Sequence, residues 1–368
     1  MSAEYVQKGY GAGVQWDTQP LSAFEDRPLR ERAAGYDLIA LDHPFIGDAI
    51  HEATLTPLDE LLGPELLDDL ATDSPGPTQA SYRMDGRHWA VGVDAACMVS
   101  AFREDRVPEL GAVRTWEDAF AAAAELGPER VLIAANPTHL YGTFLSLCES
   151  VAGDGTRPSP FQPTWWSAAG LDPAVSHAAI QQLTRLLALC RDDSWDTDPI
   201  AALDRLAEPG GEIAYVPLVF QYVTYSRDNA AVTFAPAPSA TPDRSAGTLT
   251  GGVGLAVSAG SEKLESAASF LRFVTRREIQ SGTFAAAGGQ PARLSAWQDA
   301  ALNTSSNGFF ERTLPTLSAS FLRPRFRGYP LFQSLASELM HTVLKGGGDT
   351  EALVVALNQL WRRTVHAE

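Results

Sequence analysis

The chain has 368 residues, 45% of them apolar and 20% charged, which is enough to bury two modest cores. Its formal net charge of −17 repels phosphate backbones, and no cluster of Lys and Arg with interleaved aromatics offsets it, which argues against nucleic acid as a partner. Cys97, Cys148 and Cys190 are too few and too scattered for a disulfide framework or a zinc site, and no apolar run reaches the roughly 18 to 20 residues of a membrane span.

Met1 to Lys8 carries no secretory signal pattern and no early cysteine for lipidation. Lys8-Gly9-Tyr10-Gly11-Ala12-Gly13 offers a GxGxG, but a dinucleotide fingerprint follows a strand and opens a helix, whereas this one leads into an expected strand at Gly13–Asp17. Tyr36–Leu41 reads as a buried strand ended by Asp42-His43-Pro44. Thr115 is an N-cap signal for a helix through Leu126, closed by Gly127-Pro128, and Val131–Ala135 reads as a further strand. Apolar spacing predicts helices over His177–Cys190, Ala267–Val274 and Leu331–Leu344; Gly346-Gly347-Gly348 ends the last, and Asp349 caps a final helix to about Arg363. Pro and Gly punctuate 152–163 and 234–252. Strands alternating with helices argue for α/β layers with mostly parallel sheets.

The chemical motifs are sparse. No GxxxxGK[ST], HExxH or GxSxG occurs. Asp192, Asp193, Asp196 and Asp198 lack the turn glycine and distal glutamate of a calcium loop and read as a solvated surface over Trp195. No metal and no cofactor is expected.

Four stretches, in order, resemble the family 1 extracellular solute-binding proteins, the group that includes the maltose-binding protein. They are Tyr36–Pro44 with Pro57–Leu62; Tyr82–Asp105, containing VGVDAA; Gly211–Tyr215 (GEIAY); and Gly251–Ala259 with the Lys263–Arg277 helix and Gly288–Arg293 (GGQPAR). The resemblance spans most of residues 14 to 360. It implies an α/β periplasmic-binding-protein type II fold, with two lobes joined by a multi-crossing hinge. One lobe would hold 1–93 and 250–292, the other 94–249 and 293–368, with crossings near Gly92–Ala95, Leu249–Gly252 and Pro291–Leu294. Family members open with a strand and a helix, and here Ala3–Gly11 resembles only the end of that helix. The first lobe is therefore expected to lack one internal strand, leaving Tyr36–Leu41 with an open side.

The implied function is solute capture for an ABC importer. A sugar or other polar small molecule would lie in the interdomain cleft, a membrane permease would be the partner, and the protein would act as an extracytoplasmic monomer without enzymatic activity. Two alternatives stand beside this: a cytosolic enzyme reusing the fold, and a truncated, non-functional homologue.

Candidate ligand residues follow. Asp42 and His43 end a strand where open α/β sheets present ligand groups, or else cap the next helix. Asp94 offers a carboxylate to a hydroxyl or amine, or stabilises the hinge. By resemblance His139 and Tyr141 supply cleft side chains. Phe220 and Tyr222 provide flat platforms for a sugar face, with Gln221 bonding a hydroxyl. Gly252 lets backbone amides approach a ligand or makes a tight turn. Gln290 points into the cleft, and Arg293 either joins it or forms a surface ion pair. Tyr329 lies where family members carry another stacking aromatic, with core packing as the competing role, as for Phe332.

Overall fold

A computed structural model describes residues 1–11, 13–18, 29–153, 162–227, 232–243 and 246–366. The chain divides into two compact units: Met1–Ala95, Gly251–Leu302 and Arg323–Pro330 form the first, and Ala96–Thr250, Asn303–Leu322 and Leu331–Glu368 the second. The strands that matter below are β1 (Leu38–Leu41), β2 (Leu55–Thr56), β3 (Val91–Arg103), β4 (Tyr215–Phe220), β5 (Val232–Ala235) and β6 (Thr250–Ser258). Among the described residues no helix is long and apolar enough to cross a membrane.

In the first unit β6 lies between β1 and β3, and β2 pairs with its far end. β1 runs antiparallel to β6, with Leu38 opposite Val257 and Leu41 opposite Gly254. Successive side chains of a strand point to opposite faces, and this alternation builds two cores. Ile39, Leu41 and Ala256 pack with Phe45, Ile46, Ala49 and Tyr82 on one face. Leu255, Val257, Val91 and Val93 pack on the other against Tyr5 and against Phe270, Leu271 and Val274 of the helix Leu264–Val274. Gly254 is required here, because a Cβ would sit 2.6 Å from atoms of the Tyr82 ring.

The outer side of β1 is different. Among the described residues β6 is its one partner strand, and a cavity of about 820 Å³ opens between it, residues 13–18 and the helix Leu264–Val274. Leu38 and Ala40 are only half-buried, whereas Ile39 and Leu41 are buried. Gly13–Asp17, expected as a strand, joins no sheet; it lines the cavity with β1 instead of pairing with it.

Two segments late in the chain return to this unit, and buried charges hold them. Arg293 is 2% exposed. Its Nε donates to the Thr275 carbonyl at 2.8 Å, and its guanidinium reaches the Asp69 carboxylate at 2.7 Å. Asp73 accepts from the Ser295 amide and hydroxyl and from Arg277. These bonds correct two expectations. Arg293 is buried and not a surface ion pair, and the chain leaves the first unit after Leu302, not near Pro291–Leu294, because Arg293, Leu294 and Ser295 are fastened to Asp69 and Asp73. The second return is Arg323–Pro330. Arg325 donates to the carbonyls of Ala80, Ser81 and Arg83, Asp48 accepts from the Gly328 amide, and a Cβ on Gly47 would lie 1.9 Å from the Arg325 carbonyl oxygen.

In the second unit β3 is flanked by β4 and β5, both antiparallel: Met98 faces Phe220, Phe102 faces Tyr215, and Ser100 faces Ala235. Val131–Ala135 is not the strand expected. Val131 makes a single parallel bridge to Tyr215, after which the Ile133 and Ala135 amides turn to the Ser194 hydroxyl and carbonyl. The 3₁₀ turn at Asp192–Asp196, which buries Ser194, takes the place of a neighbouring strand. Three helices start alike, with an acceptor side chain followed by proline: Asn136-Pro137, Asp172-Pro173 and Asp198-Pro199. The side chain satisfies an open amide of the first turn, and proline has no amide to leave open. Thr115 and Asp118 form a reciprocal capping box on Trp116–Leu126, and Asp349 caps Thr350–Thr364. The Asp192–Asp198 carboxylates serve the scaffold too: Asp193 pairs with Arg191 and Arg205, Asp196 with Lys345, and Asp198 caps a helix.

Arg293→Ala leaves Asp69 and Asp73 without a buried partner. A fully buried pair broken in this way costs about 3–5 kcal/mol; with Asp69 partly open to solvent the expected loss is about 2–4 kcal/mol. A urea midpoint unchanged from wild type would show that the cluster does not hold 293–299 in place.

Candidate ligand-binding site

In the first unit the candidates fall into two groups. Asp42 caps the short 3₁₀ turn His43–Phe45, accepting from the His43 amide at 2.7 Å, and Pro44 in that turn needs no amide partner. The His43 ring bridges outward: Nδ1 lies 3.0 Å from the Asp42 carboxylate, and Nε2 accepts from the Arg323 amide at 3.2 Å. That pair of contacts selects the neutral ring with its proton on Nδ1. The Arg323 guanidinium closes the triangle on Asp42. Burial opposes the Asp42 charge, but Arg323 and His43 outweigh it and hold the carboxyl well below its usual range. Burial pushes His43 down to about 4, with Arg323 and Arg325 adding to the effect against the attraction of Asp42.

The second group is Asp94, Gln290 and Gly252. Asp94 Oδ2 accepts from the Gln290 amide at 2.9 Å, and the Gln290 side chain donates to the Ala95 carbonyl at 3.0 Å. Gly252 sits at φ +112°, where a Cβ would be 2.3 Å from the Asp94 carbonyl oxygen, so only glycine lets these two strands meet. Asp94 is half-buried, and burial raises its carboxyl to about 6 against the pull of the Gln290 amide. The buried Tyr82 hydroxyl, bonded to the Leu41 carbonyl at 3.4 Å, feels both Asp42 and Asp94, which places the two groups within electrostatic reach of one ring.

In the second unit His139 stands in the first turn of the helix Pro137–Ala152, its Nδ1 2.7 Å from Asn136 Oδ1. Its ring meets Phe220 edge to face, with centroids 6.0 Å apart. Phe220 ends β4 and Gln221 and Tyr222 follow directly; both aromatic residues are half-exposed. Gln221 is 1% exposed. Its amide donates to the Cys97 carbonyl at 3.2 Å, yet among the described residues its side-chain Nε2 has no hydrogen-bond partner. The other aromatics are placed differently. Tyr141 is buried against Phe144 and Phe332, which itself packs on Trp361. Tyr329 belongs to the first unit's Arg323–Pro330 segment and is fully buried at the start of the helix Tyr329–Lys345.

Sequence reasoning missed Arg323, which binds Asp42 from 281 positions away, and Asn136 as the partner of His139. Nothing local marks Arg323; Asn136 was legible as an acceptor before proline. Among the described residues no group of three or more His, Cys, Asp or Glu is arranged to hold a metal ion.

Two α/β units, each assembled from discontinuous stretches of chain, define the type II periplasmic-binding-protein fold. The chain belongs to the bacterial extracellular solute-binding protein family, whose profile matches residues 1–309. Among solved structures it is similar to maltose-bound MalE3 of T. maritima, at 19% identity and a TM-score of 0.79 over 98% of this chain and 94% of that one. It is similar to a solute-binding protein of an ABC transporter from Agrobacterium vitis S4 with bound D-mannitol, at 16% identity and a TM-score of 0.76 over 98% and 93%. The GacH receptor of Streptomyces glaucescens GLA.O, solved unliganded and with acarbose, matches at 17% identity and a TM-score of 0.74 over 98% and 92%. No curated protein matches the chain in sequence. The family and these neighbours are binding proteins.

The His43 ring gives the first unit a pH dependence. A depressed imidazole stabilises the fold fully above its unfolded value of 6.5, and that stability is lost as pH falls toward about 4. Between pH 7 and pH 4.5 the expected loss is on the order of 2 to 3 kcal/mol, and His43→Gln, which keeps an acceptor without titrating, should flatten it. Identical pH profiles of the urea midpoint for wild type and variant would count against this assignment.

Proposed function

We propose that this protein captures a small polyhydroxylated solute, a sugar or polyol, for an ABC importer. The observation that carries this reading is the Phe220-Gln221-Tyr222 segment: a buried amide donor without a partner among the described residues, flanked by two half-exposed aromatic rings. An unpaired buried donor costs about 1–3 kcal/mol, a cost that a ligand hydroxyl accepting from Gln221 Nε2 would remove. Aromatic faces beside it suit the C–H face of a sugar ring, and His139 braces Phe220 edge-on.

In the first unit Asp94 is half-buried, and its Oδ2 accepts from the Gln290 amide. Gln290 and Gly252 position that residue, while Asp42 and His43 act as structural supports through Arg323. Tyr141 and Tyr329 pack the interior and leave stacking to Phe220 and Tyr222. The protein works outside the cytoplasm as a monomer, without cofactor or catalysis, and delivers its solute to a membrane permease. The maltose, mannitol and acarbose bound by the similar structures share the hydroxyl-rich chemistry this segment suits.

The test is calorimetric titration with a panel of sugars and polyols, followed by single substitutions. Phe220→Ala and Tyr222→Ala are each expected to weaken binding by about 1–2 kcal/mol, roughly five- to thirty-fold, with little change in Tm. No saturable binding across the panel, or unchanged affinity in both variants, would remove the reading.

A further inference from the structure

We propose that His43 is an acid-operated latch: protonation of its buried ring releases the stretch 323–328 from the first unit while β1 and the turn His43–Phe45 stay folded. The chain enters the first unit at Arg323 and leaves it after Pro330, and 323–328 lies outside any helix. Polar contacts fasten both ends of the stretch. The Arg323 amide donates to His43 Nε2 at 3.2 Å, the Arg323 guanidinium meets Asp42, and the Gly328 amide donates to Asp48 at 2.7 Å. Neither of the two apolar cores described above takes a side chain from it.

The two ring nitrogens face different partners, and protonation acts on them in opposite senses. Nδ1 carries the proton of the neutral ring and donates to Asp42, which caps the same turn. The lone pair of Nε2 is taken up by the Arg323 amide. A second proton, drawn from solvent, occupies that lone pair, so an N–H then confronts the Arg323 N–H and the bond is lost. The new positive charge strengthens the contact with Asp42 and repels Arg323 and Arg325. The favourable change falls on the turn that carries the ring, and the unfavourable ones fall on the returning stretch. Two further titratable groups come from the elements around this corner: Tyr82, which burial holds neutral, and Asp48, which accepts from the Gly328 amide. A ring 1% exposed meets solvent when the stretch lifts, so opening comes first and the proton then holds it open. The ring rises from about 4 when closed to its ordinary 6.5 when released, so opening takes up a proton and is favoured as pH falls between these values. From pH 7 to pH 4.5 the opening equilibrium rises on the order of 50-fold.

The test is hydrogen exchange of the full chain at pH 7 and pH 4.5, corrected for the intrinsic rate at each pH and repeated in low urea. Peptides covering 323–328 and, within β6, 254–258 are resolved by mass spectrometry. Protection over 323–328 is expected to fall on the order of 50-fold in acid and to lie at least tenfold below that of 254–258. It is expected to be insensitive to low urea, because a local opening exposes little surface. In His43→Gln, which keeps an acceptor without titrating, protection over 323–328 is expected to be equal at the two pH values. Three results would each overturn the proposal. One is unchanged protection over 323–328 in acid. Another is protection and urea dependence equal to those of 254–258, which would mean that the stretch opens only with the whole unit. The third is the same acid loss in His43→Gln. If that variant does not fold, the wild-type comparison of the two segments decides by itself. The urea midpoint reads unfolding of the whole unit and shifts with pH whether or not the stretch opens locally, so the two measurements are independent.

Discussion

Guanidinium groups set against carboxylates and carbonyls, those of Arg293 and Arg323 buried, join the three stretches of chain from which the first unit is made. Arg293 binds Asp69 and the Thr275 carbonyl, Arg323 binds Asp42, and Arg325 gathers three carbonyls from Ala80 to Arg83. A planar fork with five donors suits this work, because it meets several acceptors at fixed angles and never loses its charge. Burying such ions has a large desolvation cost, so their main contribution is to specify which segment lies where. Each of these guanidinium groups meets partners laid down more than 200 positions earlier in the chain.

The same contacts explain why polar residues at strand ends divide between support and recognition. Asp42 and His43 lie where an α/β sheet presents ligand groups, yet each polar atom of that corner is engaged by its own turn or by Arg323. Asp94 keeps one carboxylate oxygen committed to Gln290 and remains half-exposed. In the second unit Gln221 is held by its backbone while its side-chain nitrogen lacks a partner among the described residues. Rigid backbone with an unsatisfied side chain is the arrangement expected of a group that waits for a ligand.

The two faces of β1 differ: Leu38 and Ala40 are half-buried beside a cavity of about 820 Å³, whereas Ile39 and Leu41 are buried against Phe45, Ile46 and Tyr82.

Local signals in the sequence were enough for the elements set by local physics. The Thr115 capping box, the Asp349 cap, the apolar run of β1 and the helical spacing of the helix Leu264–Val274 depend on neighbours a few residues away, so they were legible and formed within a few residues of the expected bounds. The four ordered stretches identified the family for the same reason, since each is a strand or turn with its own pattern. Tertiary structure alone decided that Val131–Ala135 turns to Ser194 instead of extending a ladder, that Gly13–Asp17 stays outside the sheet, and that the chain leaves the first unit after Leu302. It also decided that Arg293 is buried and that Arg323 completes the Asp42–His43 corner. Each of these rests on a partner hydrogen-bonding or charge-pairing across a long stretch of chain, and no pattern within a window of sequence encodes which distant carbonyl or carboxylate a donor will meet.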